Sequence, residues 1–134
     1  MVILIDDETG TLAPCRQQLD ELGVAHATGD PSPGDVVIVA GAKAAPDGPE
    51  TVVLRVPAGG SPDERLEALR EAASLSGATL AVGQAGSINA ALFAARVLAA
   101  RGDDGLRDQL QRFAGAQRDT VRANPDPSSL GDRD

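Results

Sequence analysis

Residues 79 to 100 do most to limit the folds open to this chain. Thr79-Leu80-Ala81-Val82 is an apolar run of strand length, with no polar alternation. Runs of this kind mark strands buried on both faces of a parallel sheet. The glycine-punctuated turn Gly83-Gln84-Ala85-Gly86 follows, and Ser87 stands where a helix N-cap is expected. Along the helix Ile88, Ala91, Leu92, Ala95, Leu98 and Ala99 share one stripe, while Phe93 and Val97 lie off it. A helix apolar on nearly every face needs cover on several sides, from its own sheet and from another subunit.

The rest of the chain repeats this alternation. Val2-Ile3-Leu4-Ile5, Val24 to Ala27, Val36-Val37-Ile38-Val39-Ala40 and Thr51 to Val56 are predicted strands. Leu12, Cys15, Leu19 and Leu22 form one face of a first helix closed by Gly23, with Cys15 as a core residue. Ser61-Pro62-Asp63-Glu64 is a capping box with proline at the first helical position, opening a helix to about Ser74. A last helix is expected from Asp103 to Arg122. Asp30-Pro31-Ser32-Pro33-Gly34-Asp35 has to be a turn, because its two prolines and a glycine forbid a helix. Strands alternating with helices predict a three-layer α/β fold, an open parallel sheet with helices on both faces. Residues 1–123 form that domain, and the proline-containing acidic tail 124–134 is expected to be disordered.

Composition removes several function classes. Twenty acidic residues against 12 basic ones give a net charge of −8, which argues against a nucleic-acid partner. No apolar run is long enough to cross a bilayer, and the single cysteine rules out an internal disulfide. A cytoplasmic setting is therefore expected. Phe93 and Phe113 are the only aromatic residues, so a base would be recognised by backbone groups and small side chains rather than by stacking.

Ligands of open α/β sheets sit beyond the carboxyl ends of the strands. The stretches to weigh are Asp6 to Thr11, Gly41 to Pro46, Pro57 to Ser61 and Gly83 to Ser87. Asp6-Asp7-Glu8 after the first strand resembles the Mg²⁺ pocket of receiver domains. That reading also needs an aspartate after the third strand and a lysine after the last. Here those places hold Ala40-Gly41 and Gly83-Gln84, so neither a receiver domain nor a metal site is predicted.

A second resemblance covers about residues 1 to 122. Gly83, Ala85, Gly86, Asn89, Ala90, Ala91 and Leu92, followed by Leu106, Leu110 and Phe113, resemble the C-terminal half of the PurE family, the N5-carboxyaminoimidazole ribonucleotide mutases. Gly41, Ala42, Ala44 and Ala45 resemble that family's substrate-surrounding loop, and Val56-Pro57 its strand-end Val-Pro. Asp7, Thr9 and Gly10 occupy the stretch comparable to its Gly-Ser-x-Ser-Asp motif, which holds ribose and phosphate. The resemblance implies a flavodoxin-like fold, a homo-octamer and cofactor-free carboxylate transfer on aminoimidazole ribonucleotide. It implies substrate contacts at Asp7, Thr9, Gly10, Gly41, Ala42, Ala44, Gly83, Gly86 and Asn89, to which hydroxyl chemistry adds Thr11 and the position of the lone lysine adds Lys43.

Two departures qualify it. The family's Ser-Ala-His-Arg-Thr-Pro segment is missing, and only His26, in an Ala-His-x-Thr frame, echoes it. His26 is the candidate general acid–base, against the plainer reading of a structural histidine at a strand end. The loop histidine is also missing, and Lys43, the only lysine, stands in that loop. It is expected to face an anionic ligand, against the plainer reading of an ordinary surface lysine. Asp6, Asp7 and Glu8 oppose a phosphate nearby, and they read equally well as a solvated cluster at a helix N-terminus. A diverged paralogue without mutase activity, or a non-catalytic partner subunit, stands as the alternative.

Overall fold

The computed structural model describes residues 1–46, 51–58, 61–75, 77–79 and 84–123. The elements in chain order are β1 (Val2–Ile5), α1 (Ala13–Glu21), β2 (His26–Thr28), β3 (Val36–Ala40), β4 (Val52–Val56), α2 (Pro62–Ala73), β5 (Ala78–Thr79), α3 (Gln84–Ala100) and α4 (Asp104–Ala123). The five strands form one parallel sheet in the order β2-β1-β3-β4-β5, the flavodoxin-like α/β arrangement.

All five residues of β3 are buried, so both of its faces are covered. Alternation sends them to two separate cores. Val36, Ile38 and Ala40, with Val2, Leu4, Leu54 and Val56, meet Leu12, Cys15 and Leu19 of the α1 segment and the alanines of α3. Val37, Val39 and Val53 form a smaller cluster on the opposite face. Each buried aliphatic side chain contributes about 1.5–3 kcal/mol, so the larger cluster carries most of the stability. Right-handed crossovers put α1 and α2 on opposite faces, because β1 to β2 and β4 to β5 run in opposite directions across the sheet.

The local chemistry explains the boundaries. Ser61 Oγ accepts from the Glu64 N–H at 3.2 Å, and two acidic residues sit in the first turn of α2. Asp103 caps α4 by accepting from the Leu106 N–H at 3.0 Å. α1 ends in a Schellman motif, with the Gly23 N–H on the Asp20 carbonyl and the Val24 N–H on the Leu19 carbonyl. Gly77 enters β5 with φ of +103°, and a Cβ there would stand 2.7 Å from the Val53 carbonyl oxygen. Only glycine fits so close an approach between neighbouring strands.

The turn expected at Asp30 to Asp35 is found, while two element boundaries shift. β2 begins at His26 rather than at Val24. Between β2 and β3 the chain makes only the turn 29–35, tied by the Ser32 N–H on the Asp35 carboxylate at 2.8 Å. α3 begins at Gln84, so Ser87 lies inside the helix and is fully buried. Its Oγ accepts from the Cys15 N–H at 2.9 Å. Cys15 is in the first turn of α1, where N–H groups have no intrahelical partner. Ser87 is thus a cap, but for α1. The cover on α3 comes largely from within the chain, from α1, α4 and β4, with Phe93 left 42 % exposed. Gln84, Ala85 and Gly86, expected in a turn, are helical and open α3, while residues 80–83 and the tail from Asn124 lie outside the described residues.

Candidate functional site

Ile5 of β1 is level with Val39 of β3, and Val39 is level with Arg55 of β4. The turns after β1 and β3 therefore leave the same edge of the sheet side by side, at the point where the strand order reverses direction. This is where doubly wound sheets hold ligands.

The first turn is built by its own carboxylates. Asp6 accepts from the N–H groups of Asp7 at 2.8 Å and Leu12 at 3.1 Å. Asp7 accepts from the N–H groups of Thr9 at 3.2 Å and Thr11 at 3.0 Å. It also takes both hydroxyl protons, from Thr9 at 3.0 Å and from Thr11 at 2.5 Å. Burial raises the Asp7 pKa, but the hydrogen bonds from Thr11 and Thr9 outweigh it and hold the carboxyl below the ordinary aspartate value. The hydroxyls of Thr9 and Thr11, expected to serve a phosphate, are thus bonded to Asp7, and the N–H groups leading into α1 are already occupied. Arg16 stands 3.9 Å from Asp6, a contact worth little at the surface. Among the described residues no group of three metal-ligating side chains forms.

The second turn is different. The Gly41 N–H donates to the Val56 carbonyl at 2.7 Å, and Gly41 has φ of +60°, which turns the chain sharply after β3. Ala42, Lys43 and Ala44 are exposed. Under the loop lies Arg55, only 3 % exposed, whose guanidinium donates to the carbonyls of Lys43 at 2.8 Å and Gly41 at 3.3 Å. Sequence reasoning passed over Arg55. The signal was a charged residue inside an apolar strand, which is rarely buried without partners.

The structure brings Asp7, Thr9, Gly10, Thr11, Gly41, Ala42, Lys43 and Ala44 to one edge. Gly86 is buried in the first turn of α3, and Asn89 is exposed one turn later. Gly83 lies outside the described residues. His26 is elsewhere: it pairs with Val2 at the amino edge of the sheet, five residues before Asp7 and so about 16 Å away along an extended strand. Its Nε2 is 2.7 Å from Asp20 Oδ1 near the end of α1. Cys15 is fully buried, and burial pushes its thiol up to about 12, so it is no nucleophile at neutral pH. A concavity of about 530 Å³ is also at the amino edge, between the α1–β2 turn and α4. Leu22, Val24, Leu98 and Leu106 line it, and no set of catalytic groups converges there.

The Asp7 network makes a pH-dependent contribution. Its folded pKa is depressed, so its stabilisation is complete above the unfolded value near 3.9 and is lost as pH falls through the lower folded value. Asp7→Ala is expected to cost about 1–2 kcal/mol at pH 7, after allowance for solvent screening at this half-buried site. Urea unfolding should show that difference shrinking below about pH 4. A cost unchanged down to acid pH would contradict the assignment.

No protein-family model matches the chain. Individual relatives do. The N5-carboxyaminoimidazole ribonucleotide mutase of Pseudomonas aeruginosa is 34 % identical over 145 aligned positions, spanning 87 % of this chain and 88 % of the relative. That of Brucella melitensis biotype 1 is 35 % identical over 113 positions, 76 % of this chain and 69 % of the relative. A shorter match, 51 % over 49 positions, joins 37 % of the chain to 28 % of the Escherichia coli K12 mutase. With these relatives, and with the parallel 2-1-3-4-5 sheet, the chain belongs to the N5-carboxyaminoimidazole ribonucleotide mutase (PurE) family.

Proposed function

We propose that this chain binds aminoimidazole ribonucleotide, or a closely related phosphorylated heterocycle, across the carboxyl ends of β1 and β3. The reaction class is carboxylate transfer or decarboxylation in purine metabolism. The observation that carries the reading is the placement of Lys43 on an exposed loop beside the β1 turn, in a chain related over most of its length to proteins named as mutases. An ammonium there suits the ligand's phosphate, and its loop neighbours Gly41, Ala42 and Ala44 are small. Calorimetric titration with aminoimidazole ribonucleotide tests it. Lys43→Ala should weaken binding by about 1–3 kcal/mol, the usual cost of losing a charge-assisted hydrogen bond. Equal affinities, or no binding by either protein, would return Lys43 to the ordinary surface.

A second reading has its own support. Proton transfer during carboxylate movement needs a group within hydrogen-bond reach of the ring. His26 is the sole histidine, and it is bonded to Asp20 at the amino edge. This favours a diverged paralogue that keeps the binding edge and has lost efficient mutase turnover. A strain lacking the mutase and carrying this chain should then fail to grow vigorously without added purine. Vigorous growth would overturn the second reading and favour the full activity.

The chain is also proposed to assemble with copies of itself, an octamer by family resemblance. Phe93 on α3, Leu66 and Leu69 on α2 and Val121 on the exposed last turns of α4 leave apolar surface that association would cover. Light scattering at micromolar concentration should give a multiple of the chain mass, and a monomer would remove the proposal. No described helix is long and apolar enough to cross a membrane.

A further inference from the structure

Ser87 is fully buried on α3, and its hydroxyl meets a need of another helix. At the start of α1 the Ala13 N–H donates to the Gly10 carbonyl at 3.0 Å, and Pro14 has no N–H. That leaves the N–H of Cys15, a fully buried residue, and Ser87 Oγ accepts it at 2.9 Å. The described hydrogen bonds of residues 7–14 stay within the β1 turn and α1 itself. The bond at Cys15 is the next one along, and it reaches across 72 residues of sequence. α1 follows β1 and α3 follows β5, so both helices start from the carboxyl edge of the parallel sheet. β3 and β4 stand between those two strands, so no strand pairing sets the β1 turn against the start of α3.

We propose that Ser87 is the positioning residue that fixes the register of α3 against α1, and with it the place of Gly86 and Asn89 relative to the β1 turn. The two helices share a seam in which Leu12, Cys15 and Leu19 meet Ala90, Ala91, Ala94 and Ala95. Apolar contact has no direction, and short alanine side chains give little resistance to sliding of one helix along the other. A hydrogen bond demands one distance and one direction, so the Ser87–Cys15 bond selects a single register. Gly86 adjoins Ser87 in the first turn of α3, and Asn89 lies two residues beyond it. On the α1 side Cys15 is three residues from Leu12, whose N–H is held by Asp6 of the β1 turn. One bond between first turns thus makes the two outer segments of the carboxyl edge a single body. Its bearing on a ligand rests on the reading that this edge binds a ribonucleotide, and the register is tested apart from it.

The variants are Ser87→Ala, which loses the acceptor and suits a helix, and Ser87→Cys, which keeps the shape with a weaker acceptor. Circular dichroism establishes that each is folded. In the ligand-free proteins amide exchange is followed at Cys15, Thr11 and Leu12, with Ile38 of the buried β3 reporting global opening. Relative to Ile38, exchange in Ser87→Ala should be about tenfold faster at Cys15 and about threefold faster at Thr11 and Leu12, with Ser87→Cys between. Acceleration confined to Cys15 would mark a plain cap, and acceleration matching that of Ile38 would mark plain destabilisation. Either would overturn the positioning role. Titration with aminoimidazole ribonucleotide should show affinity about fivefold lower in Ser87→Ala, with partial retention in Ser87→Cys. Faster exchange at Thr11 and Leu12 with unchanged affinity would overturn the link to the ligand alone. Failure of wild type to bind would remove that link together with the proposed function, and the exchange arm would still decide the register. If Ser87→Ala does not fold, Ser87→Cys answers both parts, since exchange and affinity equal to wild type would overturn them.

Discussion

β3 has no exposed residue, and the rest of the molecule is arranged to meet that condition. One face of the strand is closed by α1 and α3, which bring leucines and alanines over Ile38 and Ala40. The other face holds Val37 and Val39 beside Val53 and Arg55. Because β3 lies between β1 and β4, its carboxyl end sits where the strand order changes direction. The loop that leaves it is thereby set next to the turn after β1, at the edge where doubly wound sheets hold ligands.

The two turns at that edge have opposite character. The β1 turn consumes its own donors: two carboxylates take four N–H groups and two hydroxyl protons. It is rigid and acidic, with little left for an anion. The β3 loop has its carbonyls tied from below and its lysine exposed. Under the proposed function, a phosphate at this edge would meet the carboxylates on one side and the Lys43 ammonium on the other. His26, bonded to Asp20, takes no part at this edge. The same sheet that brings Lys43 beside Thr9 carries His26 to the opposite end.

Much of this was legible in the sequence. Unbroken apolar runs gave the parallel strands, the capping box gave α2, and the turn at Asp30 to Asp35 gave the missing helix. The resemblance through Gly86, Asn89 and the loop from Gly41 pointed to the family. Ser87 shows where such reading stops. A serine before an apolar stripe looks like the start of its own helix, yet it is buried inside α3 and caps α1, which lies 72 residues earlier. Arg55 is the same case on the sheet, since its partners are 12 and 14 residues away in the chain and meet it only through strand pairing. Asp7 could be read as a repellent or as a cap, and only the hydrogen-bond geometry decides that it closes the turn on itself.

The central claim is that the ligand lies across the carboxyl edge. A crystal structure of the protein with aminoimidazole ribonucleotide tests this most directly. The account predicts the phosphate within hydrogen-bond distance of Lys43, with the ligand lying across the turns after β1 and β3. A ligand in the concavity between Leu22 and Leu106 at the amino edge, or a phosphate seated on the α1 N-terminus in place of Asp7, would contradict it.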